Sequence, residues 1–157
     1  MSRKPARPSG PVRAAGPVRT VTNIMAERTL DMARTAATYA QRQFEAAWND
    51  GRPSAVLLRI YITRVEERRT KVVTQIVMVD RRKKTLIKDA LNYLHEIEYW
   101  LIRLHALASH MGMLHGNRRV MLKHKTIATK MFKRKYGLKN TKVHVDKRNE
   151  IRRLINA

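Results

Sequence analysis

The chain has 157 residues, with 34 Lys and Arg against 12 Asp and Glu, a net charge of +22, 43% hydrophobic residues and no cysteine. Disulfides, thiolate metal sites and a cysteine nucleophile are excluded, and with no run of roughly 18 apolar residues nothing here spans a bilayer. What remains is enough for one domain with a thin core, whose self-repulsion opposes compaction unless counter-charge is supplied; phosphate is the usual supplier.

Residues 1–26 hold four of the five prolines, five Lys or Arg and no acid. This predicts an extended basic tail over 1–22 that phosphates would order, with Arg3, Lys4, Arg7, Arg13 and Arg19 as its contacts. An Arg-rich, acid-poor start also has the composition of a mitochondrial targeting peptide, expected here to stay uncleaved.

Residues 23–157 read as a single helical domain with a basic C-terminal extension. Asn23 or Thr22 can cap its first helix, and Glu27 and Asp31 suit the positive end of the dipole. Ala26, Leu30, Ala33, Ala37, Ala40, Phe44 and Ala47 or Trp48 recur at steps of three and four, and "NDGRP" (49–53) closes the segment. Ser54 can cap a second helix with a stripe of Leu58, Ile62, Val65, Val72, Ile76 and Val79, interrupted by Arg69. Half of residues 56–79 are Val, Ile or Thr, so the alternative is an α+β chain with a hairpin at about 55–79. Its turn would be "EERRT", which lacks Gly, Asn and Pro, and this favours the helix.

"DRRKK" (80–84) is a basic junction, adding Arg81, Arg82, Lys83 and Lys84 to the candidate contacts. A third helix carries Leu86 or Ile87, Ala90, Leu94, Ile97, Leu101, Leu104 and Ala108 on one stripe, with Gly112 and Gly116 at its end. A fourth fits Asn117 to Tyr136, with Val120, His124, Ile127 and Met131 inward. Gly137 closes it, and "DKRNEIRRLINA" can add a short basic helix. The fold class expected is therefore all-α.

The window Tyr99 to Val145 contains no Asp or Glu, but 11 Lys or Arg and five histidines. In the fourth helix Arg119, Lys123, Lys130 and Arg134 fall on a face away from Ile127 and Met131. A helix with one apolar and one basic side can pack on its own protein while lying along a phosphate backbone. Arg118, Lys125, Lys133 and Lys135 join this set, with Lys139 and Lys142 beyond the helix. Aromatic residues are only 6%, too few for a base-stacking platform. Recognition of backbone and shape suits structured RNA.

His105, His110 and His115 lie five apart, about 140° per step on a helix, and do not converge on a metal. Histidines in such a segment more often meet RNA or cap helix ends. No nucleophile elbow, Walker loop or dinucleotide fingerprint is present. Neither an enzyme, a cofactor nor a small-molecule substrate is expected.

A small, cysteine-free, Lys/Arg-rich helical chain with a basic Pro/Gly tail resembles a ribosomal protein, and an organellar one in particular. "GMLHGNRR" (112–119) is similar to the turn that opens the last helix in the S-twenty family of bacterial small-subunit proteins, and "ARTAATYAQRQFEAAWNDG" (33–51) resembles the end of that family's first helix. "DRRKKTLIKDALNYL" resembles the S-fifteen family at a different spacing. The resemblance implies a structural constituent of a mitochondrial ribosome, with rRNA and neighbouring ribosomal proteins as partners. A histone-like DNA-compacting protein and a basic helical subunit of a membrane-associated complex are the alternatives.

Overall fold

The computed structural model describes residues 10–136, 149 and 153, with side chains described for 23–135, 149 and 153. Four helices account for the fold: α1 (Gly10–Asn49), α2 (Ala55–Met78), α3 (Lys84–Leu114) and α4 (Arg118–Tyr136). The chain is all-α, and the hairpin alternative at 55–79 is replaced by the uninterrupted α2. Its Val, Ile and Thr residues are tolerated in a helix because Leu58, Ile62, Val65 and Val72 bury against the other helices.

Both connections expected around α2 are present. Ser54 accepts a hydrogen bond from the Leu57 N–H at 3.1 Å and so satisfies one of the first-turn donors. The start of α1 differs from expectation. The helix begins at Gly10, so backbone expected to be extended is helical over 10–22, and neither Thr22 nor Asn23 is a cap. Pro11 lies in the first turn, where a missing N–H costs nothing, whereas Pro17 lies in the helix interior, where proline ordinarily costs about 3 kcal/mol or more.

Neighbouring contacts give the topology. Asp80 to Lys84 reverses the chain after α2, and cross-helix pairs such as Arg34 with Tyr93 and Phe44 with Trp100 advance together along α1 and α3. Hence α1 and α3 run in the same direction and pack on each other, with α2 antiparallel to both. α4 returns antiparallel along α3 through His105–His124 and Glu98–Lys135. It packs principally on α3.

The α1 face is alanine-rich: Ala26, Ala33, Ala36, Ala37, Ala40 and Ala47 are buried, with Phe44, while Trp48 is left exposed. Small residues there let α3 approach and fill the space with Leu94, Ile97, Leu101, Leu104, Leu107 and Met111. Full burial of one such side chain is worth about 1.5–3 kcal/mol. The second half of α3 is buried almost all round because α1 and α2 cover one side and α4 the other.

The α3–α4 turn is a Schellman C-cap fused to an N-cap. The Asn117 N–H donates to Gly112 O at 2.8 Å and the Gly116 N–H to Met113 O at 3.1 Å. Gly116 takes φ +71°, the left-handed conformation that L side chains avoid. The Asn117 side chain then accepts from the Val120 N–H at 3.1 Å. Gly112 serves close approach instead: a Cβ there would lie 2.7 Å from the Met121 backbone nitrogen.

Candidate nucleic-acid interface

α4 reads "RRVMLKHKTIATKMFKRKY" and has no acidic residue. Its buried line is Ala128 and Phe132, flanked by half-buried Val120, Met121, His124, Ile127 and Met131. The expected stripe of Val120, His124, Ile127 and Met131 is therefore at the edge of the contact, and the helix is turned by about one residue. The turn is fixed by the pairing of His124 with His105, at 2.9 Å between Nδ1 atoms, and by the Ser109 hydroxyl donating to Met121 O at 3.0 Å.

Opposite Ala128, at 100° per residue, stand Arg119, Lys123, Lys130 and Arg134, all exposed. Arg118, Lys125 and Lys133 are exposed on the flanks. Among the described residues no carboxylate is paired with any of these seven. The basic face predicted for this helix is thus present and outward.

Lys135 is the exception among the α4 candidates. Its side chain is only 14% exposed and lies 3.3 Å from Glu98 of α3. It is also 2.8 Å from His95 Nδ1. Glu98 takes Arg69 of α2 on its other oxygen, with Arg69 Nε at 3.1 Å. The residue that broke the α2 stripe thereby joins α2, α3 and α4 at one carboxylate. Burial would raise the Glu98 pKa; hydrogen bonding from Arg69 and the charges of Lys135 and Arg69 outweigh it and hold Glu98 below the usual carboxylate value. Lys135 is corrected from a surface contact to part of this node, since Glu98 satisfies it 37 residues away in sequence.

Arg103 belongs to the same acid-free window and also turns inward. Its guanidinium lies 4.3 Å over Phe44, 4.9 Å over Trp100 and 5.4 Å over Tyr99, and it donates to the Tyr99 hydroxyl at 3.0 Å. It fastens α1 to α3 through ring faces.

The histidines expected to meet RNA or cap helix ends divide. His115 is the C-cap of α3. His105 is buried, and with His124 it forms a neutral pair in which one imidazole donates and the other accepts through Nδ1. Burial first, then His124 and Lys123, push the His105 pKa down to about 4. His124 is lowered by burial and by Lys123. No group of three or more His, Asp or Glu that could hold a metal ion occurs among the described residues.

The 80–84 junction does not join the α4 face. Arg82 folds back on Asp80 at 2.9 Å, and Lys83 bonds the Asn23 side chain across the bundle. Arg81 and Lys84 are exposed, but Lys84 sits about 20 Å along α3 from Glu98, by 1.5 Å per residue. Arg3, Lys4, Arg7, Lys139 and Lys142 lie outside the described residues, as do the side chains of Arg13 and Arg19. A basic set missed in the sequence is Arg64, Arg68 and Lys71 on α2, beside a groove against α1. Their spacing of four and three was the available signal; Glu66 and Glu67 between them masked it.

No helix of the described residues is long and apolar enough to cross a membrane. Compared with known proteins, the chain matches no family model, no curated protein and no solved structure.

Proposed function

We propose that this protein binds structured RNA through the outer face of α4, as a structural constituent of a ribosome, the mitochondrial one in particular. The observation that carries the reading is the exposed, acid-free face of Arg119, Lys123, Lys130 and Arg134, on a helix whose opposite side is anchored in α3. Repulsion among seven exposed cations on one helix is met by no paired carboxylate among the described residues. Phosphates supply the counter-charge and release counterions as they do so. The ribosome is favoured by the resemblance to ribosomal families, and the mitochondrion by the Arg-rich, acid-poor start of the chain.

The test is the salt dependence of rRNA binding by the full chain in which Lys123, Lys130 and Arg134 are all changed to Gln. The helix survives, because Gln is a comparable helix former and all three side chains are exposed. The slope of log affinity against log salt flattens by about 2–3 units, at about 0.7–0.9 per phosphate. Affinity falls alike for unrelated RNA sequences, because phosphate contacts position without reading bases. An unchanged slope would remove α4 from the interface. Tighter binding of the parent chain to duplex DNA than to rRNA would favour DNA compaction instead.

A further inference from the structure

The α1–α2 groove lies away from α4 and plays no part in the reading above. Its walls are Asp31, Met32, Thr35, Ala36 and Tyr39 of α1 and Arg64, Glu67, Arg68 and Lys71 of α2. It encloses about 570 Å³, inside the range of roughly 300–1,000 Å³ typical of small-ligand sites. Buried Ala36 forms part of the floor, and its small side chain leaves the space that a larger residue would fill.

Three features of the groove point to one kind of occupant. First, the Arg68 guanidinium is held 3.7 Å over the Tyr39 ring. A guanidinium seated on a ring offers its other face outward, and nucleobases stack on such planes. Second, Arg64 and Lys71 stand one turn to either side of Arg68 on the same exposed face of α2, placed for a phosphate. Third, Asp31 is already engaged by Arg34 at 2.9 Å, whereas Glu67 has no ion pair among the described residues. A carboxylate accepts from an exocyclic amino group of a base and repels the carbonyl edge of uracil.

We propose that this groove binds one unpaired nucleotide whose base carries an exocyclic amino group. The base stacks on Arg68 over Tyr39, Glu67 accepts from the amino group, and Arg64 and Lys71 hold the phosphate. The proposal rests on the reading of the chain as RNA-binding, and adds to a face that senses only phosphates a site that senses a base. Cations alone would attract any anion; the ring beneath Arg68 and the carboxylate beside it make the groove selective.

The experiment is an NMR titration of the full chain at low salt with AMP, UMP and inorganic phosphate. AMP is expected to shift Tyr39, Ala36 and Arg68 resonances, more tightly than UMP and far more tightly than phosphate. Arg68→Gln, an exposed change on α2, weakens AMP by about tenfold, the order of one lost stacking partner, with helicity unchanged by circular dichroism. Glu67→Gln brings AMP and UMP together. Equal affinity for phosphate and AMP would reduce the groove to an anion patch and overturn the proposal, as would an Arg68→Gln chain that binds AMP like the parent. Equal binding of UMP by the parent would overturn the part given to Glu67. The α4 triple variant separates the two readings. A retained AMP response there supports an independent groove, while its loss moves the nucleotide to α4 and leaves the α4 reading standing.

Discussion

α2 and α4 are both basic helices laid against α3, yet they are held in opposite ways. α2 carries five Lys or Arg with Glu66 and Glu67 on the same helix, and docks through Leu58, Ile62, Val65 and Val72. α4 carries eight Lys or Arg and no acid, and buries only Ala128 and Phe132 below the surface. α2 thus carries two acids of its own, shares Glu98 of α3 through Arg69, and is held by apolar contact. α4 must borrow its counter-charge from Glu98, and depends on close approach at Gly112 and on the His105–His124 pair. A helix held this way can offer its outer face to a polyanion. It is also the element expected to come away first, since local opening follows the elements with the fewest buried apolar contacts.

The largest effect expected from this contrast is a difference in cooperativity. Leu58→Ala, at 1% exposure, should cost about 2–5 kcal/mol and lower the melting of all helices together. Phe132→Ala should cost about 3 kcal/mol locally, releasing α4 while α1–α3 stay folded. Amide exchange resolves the two: α4 amides alone should lose protection in the second variant. Loss of protection throughout would mean that α4 is an integral part of the bundle.

A smaller effect is expected at the helix crossing. Gly112→Ala ought to gain helix propensity, but its Cβ would meet the Met121 backbone, which cannot swing aside as a flexible side chain can. A net loss of about 1–3 kcal/mol is expected, read as a lower urea midpoint. A gain in stability would show that α4 sits farther from α3 than 2.7 Å from that added carbon implies.

The last concerns acid. His105 has a folded pKa of about 4 against an ordinary value of 6.5, so the unfolded chain binds the proton more tightly. Its contribution is intact above 6.5 and is lost as pH falls toward 4. Glu98, lowered from its ordinary value, loses its contribution only at more acidic pH. Urea midpoints should therefore decline between pH 6.5 and 4, and His105→Gln should flatten that decline. An equally steep decline in the variant would assign it to other groups.

Much of this architecture is local and was legible in the residues themselves. Ser54 caps α2, Asn117 caps α4 and Gly116 ends α3 because each acts on backbone within a few positions. The spacing of "GMLHGN" follows from the same cause: a left-handed C′ glycine next to an N-capping Asn is one way to turn between antiparallel helices. The α3 stripe held because one face of a long helix meets partners all along its length.

What failed involved distance. The one-residue rotation of α4 depends on His105 and Ser109, which its own apolar pattern does not register. Lys135, seven residues after Ala128 and four after Met131, falls on the packing face by helical spacing while Lys133 does not, but the carboxylate that receives it, Glu98, is invisible to that pattern. The groove beneath Arg68 exists because Tyr39, 29 residues earlier, comes alongside it.

By itself, the sequence determined four helices, the Ser54 cap, the glycine end of α3 and a surplus of positive charge, since propensity, turn chemistry and charge count are properties of short stretches. The tertiary structure decided which partner each inward-facing cation meets. That choice depends on whether a carboxylate or a ring lies within a few ångströms, and packing brings such partners together from positions far apart in the chain.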